Sequence, residues 1–369
     1  MKSTLTPRQE QTLAAHQRID LTARTSDLPF VSGWETSHGI TYEHLKPLYA
    51  DQLIDGGHAL DYTFMADDEL LVEKIRGFHR TVDGHFPDAS EIFLGAGSSP
   101  LLSSVMILLS QMGETEICYV PPIYHAYYQL AKIGRMRMTP IGEGLTLEGE
   151  QRTIPQLPDR RTVLLLTDPS WISGRAYSAA FHAEIRAWQE RTGSTVIVDG
   201  TFQYTKWAAM AAEQSATLVP EQTIRLICPT KSLCVHGVRC AYLILPKTLQ
   251  EDLGWYYCKL VAATSQYDVR AAHLLFDQLL SPNSNRALTA LVSERYAGLT
   301  AAGIITDLVT EPQCTYYAWG RLGIGLDRVL FMNGSYFELP YPDDYLRINL
   351  LSAPLARLLD ARSSLELAQ

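Results

Sequence analysis

No stretch of this sequence approaches the roughly 20 consecutive apolar residues that a membrane-spanning helix needs. The polar opening MKSTLTPRQEQTLAAHQRID lacks the apolar core of a secretory signal. The six cysteines, at 118, 228, 234, 240, 258 and 314, form no Cys-x-x-Cys pair and fall mostly in apolar runs. That is the pattern of reduced core thiols, and the reading calls for no metal. No basic face is concentrated anywhere: the net charge is -9 and both signs are interspersed, which disfavours a nucleic-acid partner. Internal repeats and low-complexity linkers are also missing. Together these absences predict a cytoplasmic protein with neither a membrane nor a nucleic-acid partner.

What is present is enough apolar material for a large interior. The chain has 369 residues, of which 46% are hydrophobic, so one large domain and a smaller one are expected. Residues 1–50 read as a helix followed by an irregular arm containing Gly33 and Trp34, which joins the small domain. Residues 51–270 are expected to form the large domain and residues 271–369 the C-terminal small α+β domain. Leu70 to Arg80 has helical periodicity. From about residue 91, short apolar runs alternate with amphipathic segments. EIFLG precedes a helix from Pro100, ICYV one from Tyr124, and VLLLTD one from Ala179; TVIVDG, IRLICP and AYLIL follow. Such alternation predicts an α/β fold with a mostly parallel sheet covered on both faces. Ligands bind such sheets at the carboxyl ends of the strands, so the loops after these runs are expected to carry the chemistry.

Those loops hold unusual residues. Cys228-Pro229-Thr230-Lys231-Ser232 follows a buried strand, and Gly237-Val238-Arg239 ends eight residues after the lysine. A lysine nucleophile near an anion-clamping arginine and a hydroxyl suits a phosphorylated aldehyde. The plainer reading of Lys231 alone is a surface lysine. The segment CPTKSLCVHGVRCAYLI resembles the cofactor-lysine segment of fold-type-I, class I/II aminotransferases, nearest the histidinol-phosphate branch. These enzymes use pyridoxal 5'-phosphate in a seven-stranded large domain. The resemblance implies that Lys231 forms the Schiff base and that Arg239 and Thr230 touch the phosphate.

Further motifs fall in the family's order. Gly95-Ala96-Gly97-Ser98-Ser99 opens a helix after a strand, and its backbone N–H groups suit an anion. It is similar to the family's phosphate cradle, which implies contacts from Gly97, Ser98 and Ser99. Tyr124, in Pro122-Ile123-Tyr124, resembles the aromatic residue that stacks on the pyridine. Asp199 ends an apolar strand, where a carboxylate is costly unless paired. The resemblance gives it the pyridinium nitrogen, which keeps the ring an electron sink. Arg347, in Tyr345-Leu346-Arg347-Ile348, resembles the arginine that grips the substrate α-carboxylate. Gly33 and Trp34 are expected beside the substrate. Tyr62 resembles the tyrosine that reaches the phosphate of a neighbouring subunit, which implies a homodimer with shared active sites.

Two positions depart from the family. Asp168-Pro169-Ser170-Trp171-Ile172-Ser173-Gly174 aligns with Asn-Pro-x-Asn-Pro-Thr-Gly, so Trp171 stands where an asparagine bonds the cofactor's phenolic oxygen. Phe202 stands where a tyrosine shares that task. Ser170, Ser173, Thr201, Gln203 and Tyr204 are the candidate replacements. The resemblance implies action at Cα of an amino-acid substrate through an external aldimine and a quinonoid. Transamination is the first expectation. A cyclase or lyase working by β- or γ-elimination or replacement on a specialised, arginine-derived amino acid is the alternative that the rewired site raises. Asp27, Glu35, His38 and His125 lie in segments that cap the site, although solvated surface polarity is the plainer reading of each. A regulator built on the same fold is disfavoured, because the first 50 residues hold no helix-turn-helix module.

Overall fold

The structure, a computed structural model, describes residues 4–33, 64–142, 145–146, 149–150, 156–280 and 286–366. Helix α1 spans Pro7–Thr25 and α2 Glu69–Val82. The chain then alternates: β1 Ser90–Gly95, α3 Ser98–Gln111, β2 Glu116–Tyr119, α4 Ala126–Ile133 and β3 Arg137–Pro140. A small hairpin, β4 Leu145–Thr146 and β5 Gly149–Glu150, precedes β6 Val163–Thr167, α5 Ala179–Thr192 and β7 Thr195–Gly200. Next come β8 Thr223–Ile227, the single turn α6 Pro229–Ser232, and β9 Ala241–Pro246. Helices α7 Gln250–Val261, α8 Gln266–Leu280 and α9 Arg286–Ala301 follow. Strands β10 Ile305–Thr306, β11 Tyr317–Leu322 and β12 Leu346–Asn349 and helix α10 Ala353–Glu366 complete the chain.

Seven strands form one sheet in the order β1-β9-β8-β7-β6-β2-β3. β9 runs antiparallel to both β1 and β8, and the other pairings are parallel. The expected pairing of AYLIL with IRLICP is therefore present, with Leu243 opposite Leu226. Both faces are covered, which is why the central strands read as unbroken apolar runs. Val163 and Leu165 of β6 point to one face, where Leu101, Val105 and Leu108 of α3 pack with Leu253 and Tyr257 of α7. Leu164 and Leu166, on the opposite face by the two-residue pleat, meet Phe181, Ile185 and Trp188 of α5.

Helix α5 shows how local sequence fixes such an element. Ser178 caps its start, accepting from the Phe181 N–H at 3.2 Å, and Gly193 ends it at φ 67°. Trp188 is 1% exposed and donates its indole N–H to the Pro158 carbonyl at 2.8 Å. Truncation of Trp188 to alanine would cost about 3–5 kcal/mol.

A second, antiparallel sheet of order β10-β11-β12 carries its own core, including Tyr317, Trp319, Leu346, Ile348 and Leu355. Trp171, Ile172, Phe202 and Cys234, from loops of the large sheet, are buried in that same core. Helix α1 bonds to both parts. Its capping box pairs Thr6 with Gln9. The Gln9 amide then donates to the Tyr119 hydroxyl at 2.9 Å and the Met138 carbonyl at 3.0 Å. One turn on, Thr12 donates to the Ser335 carbonyl at 3.3 Å, and His16 meets the Tyr336 carbonyl at 2.7 Å. Among the described residues no helix is long and apolar enough to cross a membrane.

Candidate active site

A cavity of about 240 Å³ opens at the carboxyl ends of the parallel strands. Its wall draws on five strand ends: Ser98 and Ser99 after β1, Tyr124 after β2, Trp171 after β6, Asp199 and Phe202 at β7, and Thr230, Lys231 and Arg239 after β8. The loops are tied to one another. The Gln203 amide donates to the Asp168 carbonyl at 3.2 Å, and the Ser232 hydroxyl donates to the Gln203 carbonyl at 2.9 Å. Behind them, Arg225 donates to Gln203 Oε1 at 3.0 Å and to the Tyr204 hydroxyl at 3.0 Å. Tyr204 in turn donates to Asp83 at 2.8 Å. This buried network fixes the loop backbones that present the cavity residues.

Lys231 sits in the single turn after β8, half-buried, with Nζ 4.6 Å from the centre of the Phe202 ring. Burial lowers its pKa; Cys228 and Asp199 pull it back up, while Arg347 and Arg239 lower it further. The amine is thus more readily neutral, and so more nucleophilic, than a solvated lysine. Asp199 is 4% exposed at the end of β7. Burial raises its carboxyl, against the opposing pull of Lys231 and of Thr201, whose backbone N–H donates to it at 3.3 Å. A buried acid with this small set of partners is ready to hold a protonated heterocyclic nitrogen.

Another part of the cavity wall could hold an anion. Gly97 caps α3 with φ 93° and no side-chain bond, so the helix N–H groups at Ser98 and Ser99 are open. A methyl group at Gly97 would lie 2.4 Å from Nη2 of Arg239. Glycine is required there by the backbone, and a side chain would also displace the guanidinium that crosses it. Thr230 is buried in the cavity wall and contacts Cys228 Sγ at 3.1 Å. The helices start at Ser98 and Ala126, not at Pro100 and Tyr124 as the sequence suggests. The shift puts both serines in the first helical turn, where donors are unsatisfied, and leaves Tyr124 on the loop, half-buried in the cavity wall.

Arg347 is fully buried on β12 and lies behind this wall. Its guanidinium carbon is 4.6 Å from the Tyr317 ring, 4.7 Å from Trp171 and 5.6 Å from Phe337. It donates to the Ser32 carbonyl, and its pKa is pushed down to about 10 by burial. Trp171 therefore separates Arg347 from the cavity. Gly33 is not part of the cavity wall; its carbonyl accepts from Asn349 at 3.1 Å, which docks the arm against β12. Trp34 and Tyr62, like Glu35 and His38, lie outside the described residues, and Asp27 is exposed.

The sequence reading missed two polar wall residues. His236 lies between Lys231 and Arg239, and its Nε2 is 3.1 Å from the hydroxyl of Tyr316. His236 was visible as a polar residue in the lysine segment. Tyr316 carries no local signal, because it arrives from just before β11.

The fit to pyridoxal phosphate is direct: a cradle that a Cβ would fill, a lysine of lowered pKa, and a buried carboxyl at the end of a central strand. The fold and these strand ends define a fold-type-I transferase architecture. The family of class I and II aminotransferases matches residues 50–302, and the chain belongs to it. This makes it a pyridoxal-phosphate-dependent enzyme of the transferase class. No curated protein matches the chain in a sequence comparison. Among solved structures it is similar to a probable N-succinyldiaminopimelate aminotransferase from Thermus thermophilus, at 19% identity and TM-score 0.71, over 95% of this chain and 98% of that one. It is also similar to an aspartate aminotransferase from Thermotoga maritima, at 14% identity and TM-score 0.74, over 99% and 100%. A multiple substrate aminotransferase from Thermococcus profundus gives 14% identity and TM-score 0.75, over 94% and 92%. At these identities the likeness concerns the fold.

Proposed function

We propose that the protein is an aminotransferase acting at Cα of an amino acid, with Lys231 as both the cofactor anchor and the proton carrier. The observation that carries this reading is one cavity lined by a lysine of lowered pKa, a buried Asp199, and Ser98, Ser99 and Arg239 next to Gly97. When bound, pyridoxal phosphate supplies an aldehyde that bonds to amines and an electron-poor ring that accepts the electron pair released at Cα.

The chain's residues divide the remaining work. Arg239, Thr230, Ser98, Ser99 and the N–H groups of α3 hold the phosphate by charge-assisted bonds. Asp199 holds a proton on the ring nitrogen. Tyr124 would offer its face to the ring, and Phe202 and Trp171, also in the wall, would exclude water. Lys231, once its amine is free, removes the proton from Cα and returns it to a neighbouring carbon. We assign the substrate carboxylate to Arg347, the deepest cation near the cavity, which the Trp171 indole must uncover before a carboxylate can reach it. Proton transfer by a positioned group such as Lys231 contributes about 10²–10⁴-fold.

A second reading, a lyase or cyclase, is favoured by Trp171 and Phe202, whose rings occupy positions from which side-chain donors would otherwise enter the cavity. The two are separated by stoichiometry. Holoenzyme mixed with amino acids in the absence of any keto acid releases at most one equivalent of keto acid per site if it is a transaminase. Continuous release of ammonia or of a cyclised product would replace transamination with the second reading.

A further inference from the structure

Resting on that cofactor reading, we propose that Tyr316, held by His236, is the hydrogen-bond donor to the ring hydroxyl oxygen of pyridoxal phosphate. That oxygen is adjacent to the aldehyde on the ring. Attachment to Lys231 therefore brings it into the part of the cavity around Nζ, where one wall, 4.6 Å away, is the Phe202 ring, which offers no polar atom. A buried anionic oxygen without a donor is costly, so another side chain must meet it.

The five replacements suggested by sequence are already engaged or placed elsewhere. Thr201 lines the cavity, but its N–H and side chain serve Asp199. Gln203 accepts from Arg225 and donates to Asp168 and to Ser215. The Tyr204 hydroxyl belongs to the Asp83 network. Ser170 and Ser173 are buried outside the cavity wall. Tyr316 meets the requirement. It lines the cavity, and its ring packs edge-on to Phe202 at 5.4 Å.

His236 completes the arrangement. Burial, then Lys231 and Arg239, push its pKa down to about 4, so it is a neutral imidazole at physiological pH. With its proton on Nε2 it donates to the Tyr316 oxygen at 3.1 Å, and the phenolic proton, which bonds the neighbouring Tyr317 hydroxyl, would turn to the ligand. Burial, then Tyr317, Cys234 and Cys228, raise the Tyr316 pKa, while Arg347 opposes them, so the phenol keeps that proton.

The test is a pH titration of the holoenzyme's visible absorption. The ring oxygen carries more negative charge once the adjacent Lys231 nitrogen has lost its proton, so a donor lowers the midpoint and its removal raises it. Wild-type protein is first reconstituted with pyridoxal phosphate. If it takes up none, the cofactor reading itself fails, and this assignment with it. With cofactor bound, Tyr316→Phe is expected to raise the midpoint by about one to two pH units, the equivalent of one bond to a charged group. His236→Asn is expected to shift it in the same direction by less, and it carries the test alone if circular dichroism shows that Tyr316→Phe does not fold. Wild-type midpoints in both variants, or a rise confined to Thr201→Val, would overturn the assignment.

Discussion

The Nζ atom of Lys231 lies 4.6 Å from the centre of the Phe202 ring. An aromatic face attracts a cation and offers a neutral amine only a weak π contact, so that side does not tie up the lysine. The lysine is placed by backbone geometry: a strand end, one helical turn, and a hydroxyl bond from Ser232 to the neighbouring loop. Chemistry at this position therefore depends on the loop ties as much as on the side chain.

Gly97→Ala tests the anion cradle. Its methyl group would meet the movable end of Arg239, so the guanidinium would be displaced, and the residue would occupy φ 93° at a strain of about 1–3 kcal/mol. The expected result is at least a tenfold loss of affinity in a pyridoxal phosphate titration of apoprotein, with only a modest fall in thermal midpoint. Retention of wild-type affinity would remove Gly97 and Arg239 from the phosphate site.

Much of this site was readable because it is written locally. Each strand followed by a helix has its own period, and fold geometry then brings the strand ends together. That is how Ser98, Tyr124, Trp171, Asp199, Phe202 and Lys231, spread over more than a third of the chain, come to line one cavity. Contacts that join distant segments were not readable. His236 and Tyr316 stand 80 positions apart, and a lone histidine in a loop gives no hint of its partner. The depth of Arg347 was equally hidden. Its β12 segment was recognised, but the stacking on Trp171 and Tyr317 arises only when two sheets share a core.

Trp171→Ala examines that stacking. Trp171 is 3% exposed, and its ring covers one face of the Arg347 guanidinium. Loss of the indole would leave a cavity and an uncovered buried cation, at a cost of about 3–5 kcal/mol measured by urea unfolding. A change below about 1 kcal/mol would mean that Arg347 is held by its bond to Ser32 and by Tyr317 instead.

Acid sensitivity follows from buried histidines, with His79 also held below its ordinary value by burial. The pKa of His16 is pushed down to about 3, and those of His125 and His236 to about 4, in each case chiefly by burial. Unfolded histidines titrate near about 6.5, so between that pH and 4 the unfolded chain binds protons that the folded chain refuses. Stability is complete above about 6.5 and falls as pH drops through this window, by at most about 1.4 kcal/mol per pH unit for each histidine. Urea midpoints measured from pH 7 to 4.5 should decline, and His125→Asn should flatten the decline. His16 and His125 stack at 4.0 Å, so protonation of one also disfavours the other. A flat profile in the wild type would mean that these imidazoles are solvated.

Borohydride reduction of protein reconstituted with pyridoxal phosphate, followed by peptide mass spectrometry, addresses the central claim most directly. The account predicts a phosphopyridoxyl adduct on Lys231 and none in Lys231→Ala, which should also lack visible absorption and turnover. An adduct on another lysine, or full activity in Lys231→Ala, would contradict it.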